Sequence, residues 1–271
     1  MERSSVIGII VAFVAVIVAM FLKGVELSAL FNGAAFTIIF GGTVAAIFMA
    51  FPTAELKRIP KLFKIIFKKQ EHMSKAEIIT LFVGWSNLVR REGLLALDSK
   101  LEEVDDPFLV EGLKLILDGN DQEFVKDLLL EEIHLVQERH KAGALIFSQA
   151  GTYAPTLGVL GAVIGLVASL ANINDINTLG QSIAAAFIAT LMGIFSGYLL
   201  WHPMSNKLKR LSEQEIQIKY MLVEGIISLQ SGVSTIAMKQ KLMIYVAPEQ
   251  RNLAEYEENG GDTIEETPQA V

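Results

Sequence analysis

AGALIFSQAGTYAPTLGVLGAVIGLVASLA, residues 142–171, contains no Asp, Glu, Lys or Arg. Crossing roughly 30 Å of hydrocarbon takes about 20 apolar residues in a helix, which satisfies its backbone groups without water. This stretch is long enough for one crossing, and a second, about Leu179–Trp201, follows after the short connection Asn172–Thr178. Toward the N-terminus two more qualify. Val6–Leu22 is free of charge, and Ser28–Phe51 is interrupted only by Asn32, Thr37 and Thr43. Val6–Leu22 is too long for a signal-peptide core, and another span follows it almost at once, so it reads as a span. The fold class is therefore all-α: a polytopic membrane protein with four transmembrane helices and a helical cytoplasmic domain.

The chain is 52% hydrophobic and 20% charged, which is compatible with one protein only if the two kinds of residue are segregated along it. The formal charge of -7 hides such a division. Glu249, Glu255, Glu257, Glu258, Asp262, Glu265 and Glu266 crowd the C-terminus, while Lys57, Arg58, Lys61, Lys64, Lys68 and Lys69 follow the second stretch. Lys207, Lys209 and Arg210 follow the fourth, whereas the connections Lys23–Leu27 and Asn172–Thr178 carry almost no positive charge. Basic residues near span ends stay inside. This predicts two hairpins, residues 1–51 and 142–201, with both termini and the region 52–141 in the cytoplasm.

Within that region, residues 54–69 set Leu56, Ile59, Leu62, Phe63, Ile66 and Phe67 among lysines. The pattern is a basic amphipathic helix, either lying on an anionic leaflet as a contact with membrane lipid or packed beside the spans. Ser74 and Glu77 form a capping-box signature for a helix to about Arg91. Asp106 and Pro107 mark another start. Asp118-Gly119-Asn120 is a stop, with Asn120 and Glu123 the next start signal for a helix that runs on into the third span. C-terminal cytoplasmic helices occupy 202–247, and the acidic tail 248–271 lacks an apolar stripe and is expected to be disordered.

Spans three and four differ from the first two. Gly151, Ala154, Gly158, Gly161, Gly165 and Ala168 recur at spacings of 3 and 4, as do Ser182, Ala186, Ala189, Gly193 and Ser196. Small residues on one stripe let helix backbones approach closely in lipid, either within one chain or against another subunit. No span has an ionisable residue in its interior, although intramembrane charge marks ion paths. The chain is therefore not a transporter, or it borrows the ionisable group from a partner.

Other chemistry finds little support. There is no cysteine, and His72, His134, His140 and His202 show no ligand spacing with acids. No Gly-rich phosphate loop follows a strand. No enzyme activity, metal, cofactor or nucleic-acid partner is expected, and His202 reads as a cap on the fourth span. Pro155 and Pro203 each remove a backbone hydrogen bond and mark a kink, a hinge or a helix end.

The stretches AGTYAPTLGVLGAVIGLV (150–167) and GQSIAAAFIATLMGIFSGYLLWHP (180–203), with MSNKLKR after them, resemble the last hairpin of flagellar stator A subunits, the MotA/PomA/MotP group. RREGLLALD at Arg90–Asp98 resembles that family's segment between the hairpins. The likeness in order and spacing covers about 250 residues, leaving only the tail outside. Energising subunits similar to ExbB or TolQ have three spans and lack this segment. A non-conducting scaffold would have no ion-carrying partner.

The resemblance implies a pentamer around the helices of a MotB-like B subunit, which supplies the membrane aspartate. It also implies a chemotaxis and motility role in flagellum rotation, through contact with the rotor switch protein of the C-ring. Carried over by position, Arg90 and Asp98, with Arg91 and Glu92, are rotor-contact charges, and Pro155 and Pro203 transmit torque. Thr190 lies on the ion path; Gly158, Gly161, Gly165, Ala186 and Gly193 are partner-facing. The family has Glu where this chain has Asp98. Sodium-driven members carry Thr where this chain has Ala162, and loss of that hydroxyl favours the proton as the translocated ion.

Overall fold

The computed structural model describes residues 3–25, 27–30, 32–68, 73–170 and 176–248, and among these every regular element is helical. The tail 249–271 and Lys69 lie outside the described residues. The helices are α1 (Arg3–Leu22), α2 (Gly33–Phe36), α3 (Gly42–Ala50), α4 (Thr53–Leu56), α5 (Ile59–Phe67), α6 (Lys75–Glu92), α7 (Pro107–Leu117), α8 (Gln122–Leu170), α9 (Ile176–Phe195), α10 (His202–Gln230) and α11 (Thr235–Met243). Four helical stretches are long and apolar enough to cross a membrane: Ser4–Leu22, Gly33–Ala50, and parts of Gln122–Leu170 and Ile176–Gln230.

Two compact units share the chain. One comprises Met1–Glu71 and Val136–Glu213, the other His72–Leu135 and Gln214–Val271. In the first, α2 and α3 are joined by a π-turn, Thr37–Gly41, into the second span. Its regular helix starts at Gly33, five residues later than Ser28, because Asn32 Oδ1 accepts from Ala35 N at 3.1 Å and caps it. The basic segment is two helices, interrupted at Lys57–Arg58. Ile59, Leu62, Phe63 and Ile66 pack with Phe147, Ala150 and Leu208, and Phe63 meets Phe147 edge-on at 5.1 Å. The apolar face is thus used within the chain, and the exposed stripe is Lys57, Lys61, Lys64 and Lys68.

The second unit is a soluble-type core. Ile78, Phe82, Leu97, Leu109, Leu113, Ile116, Leu129, Ile133, Met221 and Ile226 are all essentially inaccessible. Burying each contributes roughly 1.5–3 kcal/mol before chain entropy is set against it. The helix starts follow local chemistry. Ser74 Oγ accepts from Glu77 N while a Glu77 carboxylate oxygen accepts from Ser74 N at 2.7 Å, a complete capping box. Asp106 accepts from both Phe108 N and Leu109 N. Gly119, at φ +78, ends the stop. The next cap is Asp121, which accepts from Glu123 N at 3.1 Å, whereas Asn120 donates its amide back to Leu115 O at 2.8 Å. That corrects the start signal by one residue.

Candidate functional site: the glycine-packed hairpin and the charged loop

α8 and α9 meet along the small-residue stripe. A Cβ at Gly158 would stand 2.9 Å from Ala189 O and 3.0 Å from Gly193 Cα; one at Gly193 would stand 2.8 Å from Ala154 O. Only hydrogen permits that backbone-to-backbone approach. Gly161 faces Ala189 Cβ at 3.5 Å and Gly165 faces Ala186 Cβ at 3.7 Å. Ala154, Ala186 and Ala189 are buried. Gly158, Gly161, Gly165, Ala186 and Gly193 thus pack between two spans of the same chain, which is the intrachain half of the small-residue reading. The exposed faces of those spans are instead built from Val159, Val163, Val167, Phe187 and Ile194. Ala162 and Thr190 are half-buried, and Thr190 Oγ1 donates to Ala186 O at 3.3 Å.

The prolines sit inside helices, so neither marks an end. Pro155 lies within the unbroken α8. Having no N–H, it leaves the carbonyl of Gly151, one turn earlier, without its helical donor. Gly197 packs onto that same place, since a Cβ there would lie 2.7 Å from Gly151 O and 2.7 Å from Pro155 Cγ. Gly197 belongs to a π-turn, Ser196–Trp201, immediately before α10, so Ile176–Gln230 is one continuous helix and Pro203 does not open a separate one. In that π-turn His202 N–H reaches back five residues to Gly197 O, so the helix is widened just before Pro203. His202 likewise sits mid-helix, its ring against Gly151 and 5.3 Å from that of Tyr198, and does not cap a helix end.

Arg90, Arg91 and Glu92 form the last turn of α6, which Gly93 ends at φ +87. The chain then continues as a ten-residue 3₁₀ helix, Leu94–Glu103. Arg90, Arg91, Glu92 and Asp98 are all exposed. None makes an ion pair or side-chain hydrogen bond among the described residues. With three residues per turn, i and i+3 eclipse. Leu94 and Leu97 turn inward together, Leu97 fully buried, while Leu95 shares an edge with Asp98 and is 73% exposed. Nothing in the sequence marks which of Leu94, Leu95 and Leu97 the fold leaves exposed.

The N-terminal model for motility protein A fits residues 6–93, and the model for the MotA/TolQ/ExbB proton channel family fits residues 100–221. The chain belongs to the MotA/TolQ/ExbB proton channel family, a class of membrane channel subunits and not of enzymes. Within it the kinship is with the flagellar stator subunits. It is 51% identical over 251 residues to motility protein A of Bacillus subtilis, covering 93% of each chain. Its fold superimposes on the flagellar MotAB stator complex from Bacillus subtilis with a TM-score of 0.90 at 50% identity, covering 93% of this chain and 99% of that one. MotAB of C. jejuni follows, with a TM-score of 0.87, 25% identity, and 92% and 97% coverage.

Proposed function

We propose that this chain is the stator A subunit that turns proton flow into torque on the flagellar rotor. The observation that carries the reading is a division of labour. The four spans have no ionisable side chain of their own, while the loop around Gly93 exposes Arg90, Arg91, Glu92 and Asp98 without internal partners. A MotB-like partner supplies the membrane carboxylate, and charge complementarity with the rotor switch protein uses the exposed loop. Exposed charges contribute little to folding, so their concentration there serves contact with a partner better than stability. Five copies form the ring, with both termini cytoplasmic and the basic residues after spans two and four on the same side. Pro155, Gly197 and the π-turn before Pro203 form the joint through which spans three and four bend. Thr190 and Ala162 flank the ion path, and the missing hydroxyl at Ala162 supports protons over sodium.

The test is swimming speed of stator-less cells that express this chain with its B partner. Speed that ignores external sodium and collapses with a protonophore is the expected result. Speed that rises with sodium keeps the stator but overturns the ion, and immotile cells with normal membrane levels of both subunits count against the function itself.

A further inference from the structure

A groove of about 340 Å³ opens in the first unit between α1, the end of α5 and the junction of the π-turn with α10. Its apolar walls include Gly8 and Ala12 on one side and Leu199 and Leu200 on the other, with Ile66 and Phe67 closing it. Nothing stands within 4 Å of where a Cβ at Gly8 would be. The polar lining residues are Ser4, Ser5 and Lys207. They lie at one end, because α1 and the fourth span are antiparallel: Phe13 stacks edge-on with Phe195 at 4.9 Å, while the groove sets residues 4–12 against 199–207. Ser5 Oγ donates to Ile66 O at 3.4 Å, which ties α1 to the helix that bears the lysine stripe. Lys68 follows Phe67 directly in the chain.

An open cleft with apolar walls on spanning helices does not hold water, and left empty it forfeits dispersion contacts along its whole lining. An acyl chain restores them. One end charged by Lys207 selects the sign of the headgroup. We propose that this groove seats one anionic phospholipid from the leaflet that meets Lys207. Its chain runs along Gly8, Ala12, Leu199 and Leu200, and its phosphate lies beside Lys207 and the Ser4 and Ser5 hydroxyls. The occupant is a lipid and not a helix, because a cleft of this volume bounded by three elements is too narrow for a helix about 10 Å across.

The experiment uses the whole complex, this chain with its B partner, in phosphatidylcholine nanodiscs doped with a phosphatidylglycerol bearing a diazirine on its acyl chain. Photo-adducts mapped by mass spectrometry are expected on α1 around Gly8–Ala12 and on Leu199 or Leu200. Unlabelled phosphatidylglycerol competes and phosphatidylcholine does not. Lys207→Gln lowers labelling roughly fivefold, the worth of one lysine beside an anionic headgroup, and Gly8→Leu removes it. Equal competition by the two unlabelled lipids on the unmodified complex overturns the proposal without recourse to any variant.

Discussion

Alanine at four glycines of the same hairpin should give two opposite results. At Gly158 and Gly193 the new methyl meets backbone atoms at 2.9 Å and 2.8 Å, and backbone cannot swing aside as a side-chain tip can. The spans must separate, and a gap of about 0.5–1 Å forfeits a quarter to a half of each contact's dispersion energy along the seam. Overpacking of this kind costs roughly 1–3 kcal/mol, against which better helix propensity returns about 1. At Gly161 and Gly165 the methyl finds its neighbours at 3.5 and 3.7 Å, ordinary contact, so propensity and added packing both favour alanine. Propensity is common to both pairs, so they should differ by about the overpacking cost, roughly 1–3 kcal/mol. The assay is the fraction of detergent-solubilised complex that survives a temperature series on size-exclusion chromatography. Gly158→Ala and Gly193→Ala should lose the complex several degrees earlier than the parent, while Gly161→Ala and Gly165→Ala match or exceed it. A Gly193→Ala complex as durable as Gly165→Ala would refute the intrachain seam.

Further perturbations address the second unit. Arg90→Asp should abolish torque on tethered cells, and Leu95→Ser should weaken it, with membrane abundance and proton leak unchanged; lowered abundance in either would mean that the loop is structural. Gly225→Ala puts a methyl 2.5 Å from Cε1 of the inaccessible Phe82, so it should destabilise the second unit by roughly 1–3 kcal/mol; Gly84→Ala, mid-helix with nothing within 4 Å, should match or exceed the parent in the same thermal assay. The hydrogen bonds of Glu77 to Ser74, the backbone N–H first, hold its carboxyl below the usual range. A depressed carboxylate stabilises above its unfolded pKa and loses that contribution as pH falls through the folded value, so the α6 cap should weaken in that acidic window, and Glu77→Gln should flatten this part of the stability profile.

Much of the architecture is legible along the chain because its causes are local. Four uncharged apolar runs define the spans, and Ser74, Asp106 and Gly119 punctuate the second unit within two or three residues of where they act. The missing carboxylate is equally a fact of sequence: a path without an ionisable group needs one from elsewhere. Local signals fail where two elements compete for the same surface. The small residues of spans three and four fit an intrachain seam or a partner equally well on a helical wheel, and only the facing backbone of Gly158 and Gly193 reveals the intrachain seam. The same holds for the basic helix, whose apolar face Phe147 and Leu208 take before lipid can. Pro203 looks like a terminus in the sequence, yet the helix runs through it from Ile176 to Gln230. Which of Leu94, Leu95 and Leu97 is buried is likewise not marked locally, and the fold buries Leu97 and leaves Leu95 exposed. Periodicity and capping are properties of a few neighbouring residues and can be read in order; which of two equivalent faces is consumed depends on residues far apart in the chain, and that only the folded structure decides.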